Sequence, residues 1–257
     1  MANEWRLWVD RMPRPGWANM AIDQTLLERA AAGERWLRLY GWAPFCLSFG
    51  RHEPAAVRYD TERIAALGMD VVRRPTGGRA VWHGREVTYT VACPGGLGSL
   101  RESYVEIHGM IRDALRSLGV PAELAPPGAA VPVDSGACFA CPAGGEIMAA
   151  GRKVVGSAQL RQGDALLQHG SILLDDDQAA VSAVTRGVAP GDRAAPLRSI
   201  LGSTLDENDL IDAVTLTAAR RWRGDWRSHD QPHDVVLASE RHAPRFRSAE
   251  WTWGAGS

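Results

Sequence analysis

The sequence predicts an α/β chain, on three observations. Strand-like and helix-like segments alternate with short loops through the first 94 residues; a strongly amphipathic helix occupies 103–120; and 257 residues, 45% of them hydrophobic, suffice for one large core. Taken in order, WRLWVD reads as a strand and ends in a Pro-Gly turn. In NMAIDQTLLERAAAG, Met20, Leu26, Leu27 and Ala30 recur at helical spacing, with Asn19 as the expected cap. RWLRLYGW alternates like a strand and CLSFGR is a second one. TERIAALG is a short helix closed by Gly68, before a strand that runs toward Arg73 and Arg74. PTGGRAVWHG has loop chemistry, and EVTYTVACP alternates cleanly as a strand.

In the helix SYVEIHGMIRDALRSLGV, Ile107, Ile111, Leu115 and Leu118 share a face. A long Pro-, Gly- and Ala-rich stretch, APPGAAVPVDSGACFACPAGGE, follows and reads as a linker or a functional loop. IMAAGRKVVGSAQLRQGDALLQHGSILLD predicts three short strands with turns at Ala150–Gly151 and Gln162–Gly163. From about residue 176 the chain turns polar and helical, with ENDLIDAVTLTAARRW the best helix and an irregular aromatic tail expected at the end. No composition shift is sharp enough to divide the chain, so residues 1–257 are expected to form a single domain with a helical C-terminal part.

A formal net charge of -1 argues against general attraction to nucleic acid or membranes. With neither a signal-peptide pattern nor an apolar run of spanning length, a cytoplasmic location is expected. The four cysteines, Cys46, Cys93, Cys138 and Cys141, are unlike a disulfide framework and are expected to stay mostly reduced.

Lys153 is the only lysine in the chain. Arginine is always charged and fork-shaped, whereas lysine is a compact ammonium whose proton can leave when it is buried. One retained lysine among arginines therefore points either to a proton-handling site or to chance. The loop RRPTGGRAVWH sets two adjacent glycines among Arg73, Arg74 and Arg79, which suits close backbone approach to an anionic or carbonyl ligand, or simply a tight turn. Cys138 and Cys141 form a C-x-x-C, but no second ligand pair at finger spacing supports zinc, and a Pro-Gly loop is the wrong place for a redox helix. A single nucleophilic cysteine, ionised by a neighbouring cation such as Lys153, is a better reading beside that of an inert thiol. His83 and His169 are open between structural and catalytic roles.

Together NMAIDQTLL, VVRRPTGGRAVWH, EVTYTV, ACF, GRKVVGSAQLRQ and LLQHGSILLD, in that order from Asn19 to Asp175, resemble the lipoate and octanoate protein ligase and transferase family. Within it the chain is most similar to the octanoyl-[acyl carrier protein]:protein N-octanoyltransferases. The resemblance implies the biotin and lipoate protein ligase catalytic fold: α/β (α+β), with a mixed, largely antiparallel sheet flanked by helices. It implies Cys138 as nucleophile, with Lys153 lowering its pKa, and an acyl pocket edged by Arg74, Thr76, Gly77, Gly78, Arg79 and His83. Gly156, Ser157, Ala158, His169, Gly170 and Ser171 would face it from neighbouring strands.

The implied reaction, part of lipoate biosynthesis, moves octanoate from octanoyl-acyl carrier protein to Cys138. From there it passes to a lysine of a lipoyl domain, such as the glycine cleavage H protein or a 2-oxoacid dehydrogenase E2. The resemblance implies neither ATP nor a metal, because the incoming thioester is already activated. Departing from the family pattern, ACFACPAGGEI brings in Cys141 as a second thiol. An ATP-dependent lipoate-protein ligase, a transferase working between lipoyl domains and a non-enzymatic module of the same fold are the competing expectations. An acidic carrier protein would be expected to meet an arginine-lined face.

Overall fold

The structure is a computed structural model that describes residues 4–126, 144–175, 178–187 and 194–254. The first half runs β1 (Glu4–Arg14), α1 (Gly16–Ala31), β2 (Arg35–Trp42), β3 (Cys46–Phe49), α2 (Ala55–Arg58), α3 (Thr61–Ala66), β4 (Asp70–Arg73), β5 (Val81–His83), β6 (Glu86–Pro94), α4 (Leu100–Ser117) and β7 (Ala122–Leu124). The second half adds β8 (Ile147–Ala149), β9 (Arg152–Lys153), β10 (Val155–Gln162), β11 (Ala165–Leu173), α5 (Ala179–Val184), α6 (Leu197–Leu201), α7 (Glu207–Arg221), β12 (Asp225–Ser228), α8 (His233–Ser239), α9 (Ala243–Arg247) and α10 (Ala249–Trp253).

Six strands form the main sheet in the order β10-β11-β6-β2-β1-β12. The pairings from β10 to β2 are antiparallel, and β1 lies parallel to both β2 and β12. A small sheet β4-β3-β5 carries the glycine loop, and a third, β7-β8-β9, carries Lys153. The fold is thus the mixed α/β arrangement the sequence predicts, with antiparallel pairs in the majority among the described strands.

Both faces of the main sheet are buried along its central strands β2, β6 and β11, and they differ in chemistry. One face sends Leu37, Leu39, Tyr89, Val91, Leu166 and Ile172 into the largest core cluster, with Ile107, Ile111 and Leu115 of α4 and Leu210 and Val214 of α7. Burying a side chain of this size contributes about 1.5–3 kcal/mol, so this face holds the sheet to the helices. The opposite face lies under α1. At one end it is apolar, where Trp36, Ala92 and Leu167 meet Ile22, Leu26 and Leu27. At the other end it is polar. Registered pairing aligns Ala158, His169, Thr90 and Arg38 in one row, and Gly156, Ser171, Thr88 and Tyr40 in the next.

Four local expectations change. Asn19 is not a cap: α1 begins earlier, after Pro15, and buried Asn19 donates to the carbonyls of Arg14 and Gly41. EVTYTVACP alternates in chemistry, yet eight of its nine residues are buried because the polar side faces the site beneath α1. The stretch 147–173 holds four strands, with Ala150 and Gly151 both at positive φ in the tight turn between β8 and β9. The C-terminal part contains β12, and its aromatic end is helical in α10, capped by the Ser248 hydroxyl.

Candidate active site

The polar end of the sheet opens into a pocket of about 320 Å³, its open mouth included, between α1, the glycine loop and the β10–β11 hairpin. Arg74, His83, Gly156, Ser157, Ala158, His169, Gly170 and Ser171 line it, joined by Met20, Tyr40, Trp42, Val81 and Thr88. The antiparallel register brings the two predicted triplets face to face, pairing Gly156 with Ser171, Ser157 with Gly170 and Ala158 with His169. Gly170 has to lack a side chain: a Cβ there would lie 2.3 Å from Ser157 Oγ and 2.7 Å from the Tyr89 ring.

Thr76, Gly77, Gly78 and Arg79 do not line the cavity wall. They shape it from behind. Buried Arg74 closes the loop on itself, donating from Nη2 to the carbonyls of Gly77 and Arg79, while Nη1 donates to the Ser48 carbonyl and hydroxyl. Gly78 sits at φ +89, and its carbonyl lies so close to Gly50 that a Cβ at Gly50 would clash at 1.8 Å. Adjacent Arg73 is turned away from the pocket. It donates to the carbonyls of Gly50, Arg51, Glu53, Trp251 and Thr252, tying α10 to the loop.

Two histidines are fixed by carboxylates. His169 Nδ1 donates to Asp23 Oδ2 at 2.9 Å, and its Nε2 meets the Thr76 hydroxyl at 2.7 Å. Asp23 also accepts from the Tyr40 hydroxyl, Thr90 and the fully buried Arg38, which in turn reaches Asp10 and Asn19. Burial, then the Asp23 charge, pushes the Tyr40 phenol well above its usual range. His83 Nδ1 donates to Glu86 Oε1 at 2.8 Å, and its ring stacks on Trp42 with centroids 3.8 Å apart. With the Nδ1 proton held at Glu86, Nε2 accepts from the Ser48 hydroxyl at 2.6 Å, whose oxygen in turn accepts from Arg74. The pair of contacts selects a neutral ring with its proton on Nδ1. Burial lowers the His83 pKa, outweighing Glu86, and Arg74 adds to the lowering.

A third histidine escaped sequence reading. His108 on α4 is fully buried, donates from Nδ1 to the Gly145 carbonyl at 2.7 Å and faces Ser157 Oγ at 2.8 Å through Nε2. Burial pushes its pKa down to about 3, with the Lys153 charge contributing. The neutral ring therefore accepts from Ser157, which accepts from Tyr89, which accepts from Gln168. Every proton in that chain has one direction. Its signal in the sequence was a histidine on the apolar face of a helix, which by itself marks only burial.

Lys153 is buried in β9, pairs with Met148 and places Nζ 2.5 Å from Glu146 Oε1. It is near enough to weigh on His108 but is not a lining residue of the pocket. Cys138 and Cys141 lie outside the described residues. Among the described residues no cluster of three or more His, Cys, Asp or Glu is placed to hold a metal ion, and no helix is long and apolar enough to cross a membrane.

A mixed sheet with a glycine loop and a β-hairpin around one pocket defines the class: the chain belongs to the lipoyl protein ligase A/B catalytic domain family, whose sequence pattern matches residues 15–218. The particular relatives are more specific. Octanoyltransferase LipM of Kyrpidia tusciae is 46% identical over 203 residues, 74% of this chain and 72% of that one. Octanoyltransferase LipM of Exiguobacterium sibiricum is 30% identical over 98% of this chain and 99% of its own. In fold, the chain is similar to a crystal structure of lipoate-protein ligase A bound with ATP, with a TM-score of 0.82 at 21% identity, covering 98% of this chain and 99% of that one.

Proposed function

We propose that this protein is an acyltransferase that moves octanoyl groups onto lipoyl domains in protein lipoylation. The observation that carries the reading is the pocket between the glycine loop and the β10–β11 hairpin, in a chain 46% identical to an octanoyltransferase. Octanoyl-acyl carrier protein is the donor, and the glycine cleavage H protein or a 2-oxoacid dehydrogenase E2 the acceptor. The reaction belongs in the cytoplasm, and residues 1–257 act as one catalytic domain. Pairing of β12 with β1 supports that extent.

In the first half-step the Cys138 thiolate attacks the thioester carbonyl; the new C–S bond forms as the bond to the phosphopantetheine sulfur breaks, and that thiolate takes up a proton. In the second, the neutral lysine amine of the lipoyl domain attacks the Cys138 thioester. The amide bond forms, the amine loses a proton, and Cys138 leaves as thiolate. Lys153 supplies the positive charge that favours thiolate over thiol. Met20, Tyr40, Trp42 and Val81 offer the octanoyl chain its apolar wall, and the oriented groups of Arg74, Thr76, His83 and His169 hold that wall in shape. Gly77, Gly78 and Arg79 complete the loop, and Gly156, Ser157, Ala158, Gly170 and Ser171 the facing strands.

The test is intact mass after mixing the protein with octanoyl-acyl carrier protein in the absence of ATP, for wild type, Cys138→Ser, Cys141→Ser and Lys153→Arg. An octanoyl adduct lost in Cys138→Ser, kept in Cys141→Ser and slow to form in Lys153→Arg is expected. Lipoyl-domain modification that requires ATP and free acid would overturn the transferase in favour of a ligase.

A further inference from the structure

Past the acyl pocket, the same helix and strand continue into a second, polar groove of about 830 Å³, open mouth included. Met20 of α1 and Ala158 of β10 belong to the pocket; Gln24 and Glu28, one and two turns further along α1, and Leu160–Gln162 of β10 belong to the groove. At about 3.3 Å per strand residue, the groove starts roughly 7–13 Å from the pocket. Three arginines line it, Arg51, Arg161 and Arg245, and Arg51 lies near enough to Arg245 for its charge to be felt there.

Their partners are few. Arg51 Nε is buried without a hydrogen bond, although the Arg51 peptide N–H is pinned to the Thr76 carbonyl of the glycine loop at 2.8 Å. Arg245 is stacked on Trp251 with its guanidinium carbon 3.7 Å from the ring centroid, and both burial and the Arg51 charge lower its pKa. Arg161 donates to the carbonyls of Gly95 and Gly98, which carry no net charge. Glu28, the one carboxylate among the described residues that line the groove, is engaged by Arg241 and His242. Like charges held together without a counter-ion repel one another, and an anion bound between them removes that cost. Arginine forks suit phosphate oxygens in particular.

We propose that this groove binds the phosphate ester of the donor's prosthetic arm, with Arg51 and Arg245 as its ligands and Arg161 as a flanking charge. The inference rests on the transferase reading for the identity of the donor. Roughly 13 bonds separate phosphorus from sulfur in phosphopantetheine, just over four residue-lengths of extended chain, so the arm reaches up to about 15 Å. That length spans from groove to pocket. The phosphate then sets the depth at which the thioester stops, and the pantetheine amides lie along β10.

The experiment is calorimetric binding of two non-reactive probes, the octyl thioethers of phosphopantetheine and of pantetheine, to the full chain. Wild type is expected to bind the phosphorylated probe about tenfold or more tightly, by a margin that shrinks as salt rises. In Arg51→Gln and Arg245→Gln the margin closes, with the affinity for the pantetheine probe and the melting temperature unchanged. Equal affinity for the two probes in wild type overturns the proposal without recourse to any variant. A margin that survives in both variants overturns the assignment to these arginines. Octanoyl transfer is assayed separately: a phosphate margin without transfer removes the transferase reading and leaves the phosphate site, and transfer without a margin does the reverse.

Discussion

The two histidine–carboxylate pairs that flank the pocket are built to different standards. Asp23 uses both oxygens fully: Oδ1 accepts from Arg38 and Thr90, Oδ2 from Tyr40 and His169. Glu86 concentrates its donors, His83, Thr88 and Ser171, on Oε1, while Oε2 is buried with no hydrogen-bond partner. The His169 side is a closed network with a buried counter-charge. The His83 side is one-sided, held as much by the Trp42 ring as by its carboxylate. A carboxylate with two full oxygens cannot lose one without orphaning donors, whereas one with an idle oxygen can.

Amide substitutions break the comparison most directly. Asp23→Asn places an NH2 against groups that donate and leaves Arg38 with less compensation in a fully buried site, and a loss of about 3–5 kcal/mol is expected in denaturant unfolding at neutral pH. A loss below about 1 kcal/mol would mean that Asp10 alone satisfies Arg38.

His108, a histidine held by a carbonyl instead of a carboxylate, sharpens it. Its folded pKa of about 3 lies below the ordinary histidine value of 6.5, so the folded state binds fewer protons than the unfolded chain between those limits. Its contribution to stability is therefore complete above 6.5 and is lost as the pH falls toward 3. Wild type is expected to lose roughly 2–3 kcal/mol more than His108→Asn between pH 6 and pH 4. Parallel stability curves for the two proteins would show that the ring is not neutral in the fold.

The smallest effect is expected at Glu86. Glu86→Gln keeps an acceptor for the three donors and puts the amide nitrogen where the unpaired oxygen lies, so stability should change by less than about 1 kcal/mol. A change as large as that of Asp23→Asn would erase the distinction between the two sides.

The glycine loop and the facing hairpin were legible because their local chemistry is unusual: adjacent glycines among arginines, and small residues interrupting an apolar strand. Asp23, Arg38, Tyr40, Thr88 and Thr90 were not. In RWLRLYGW and EVTYTV the polar residues alternate as they would on a solvated strand, and nothing in that period distinguishes a face turned to water from one turned to a buried polar network. Arg38 and Thr90 meet only through register, which depends on pairing between distant segments. The groove of Arg51, Arg161 and Arg245 was invisible for the same reason. Its three arginines come from the β3–α2 connection, the end of β10 and α9, and only the folded chain brings them to one place.

The strand β1 has one further implication. It lies between β2 and β12, paired through Glu4–Leu7 with residues 225–228, and Trp5 stacks on Trp222 and Trp226. During synthesis β1 keeps an open edge, with unpaired backbone groups and an unstacked indole, until residues 222–228 have followed. Until residues 222–228 are made, this edge therefore stays open to pairing with another copy.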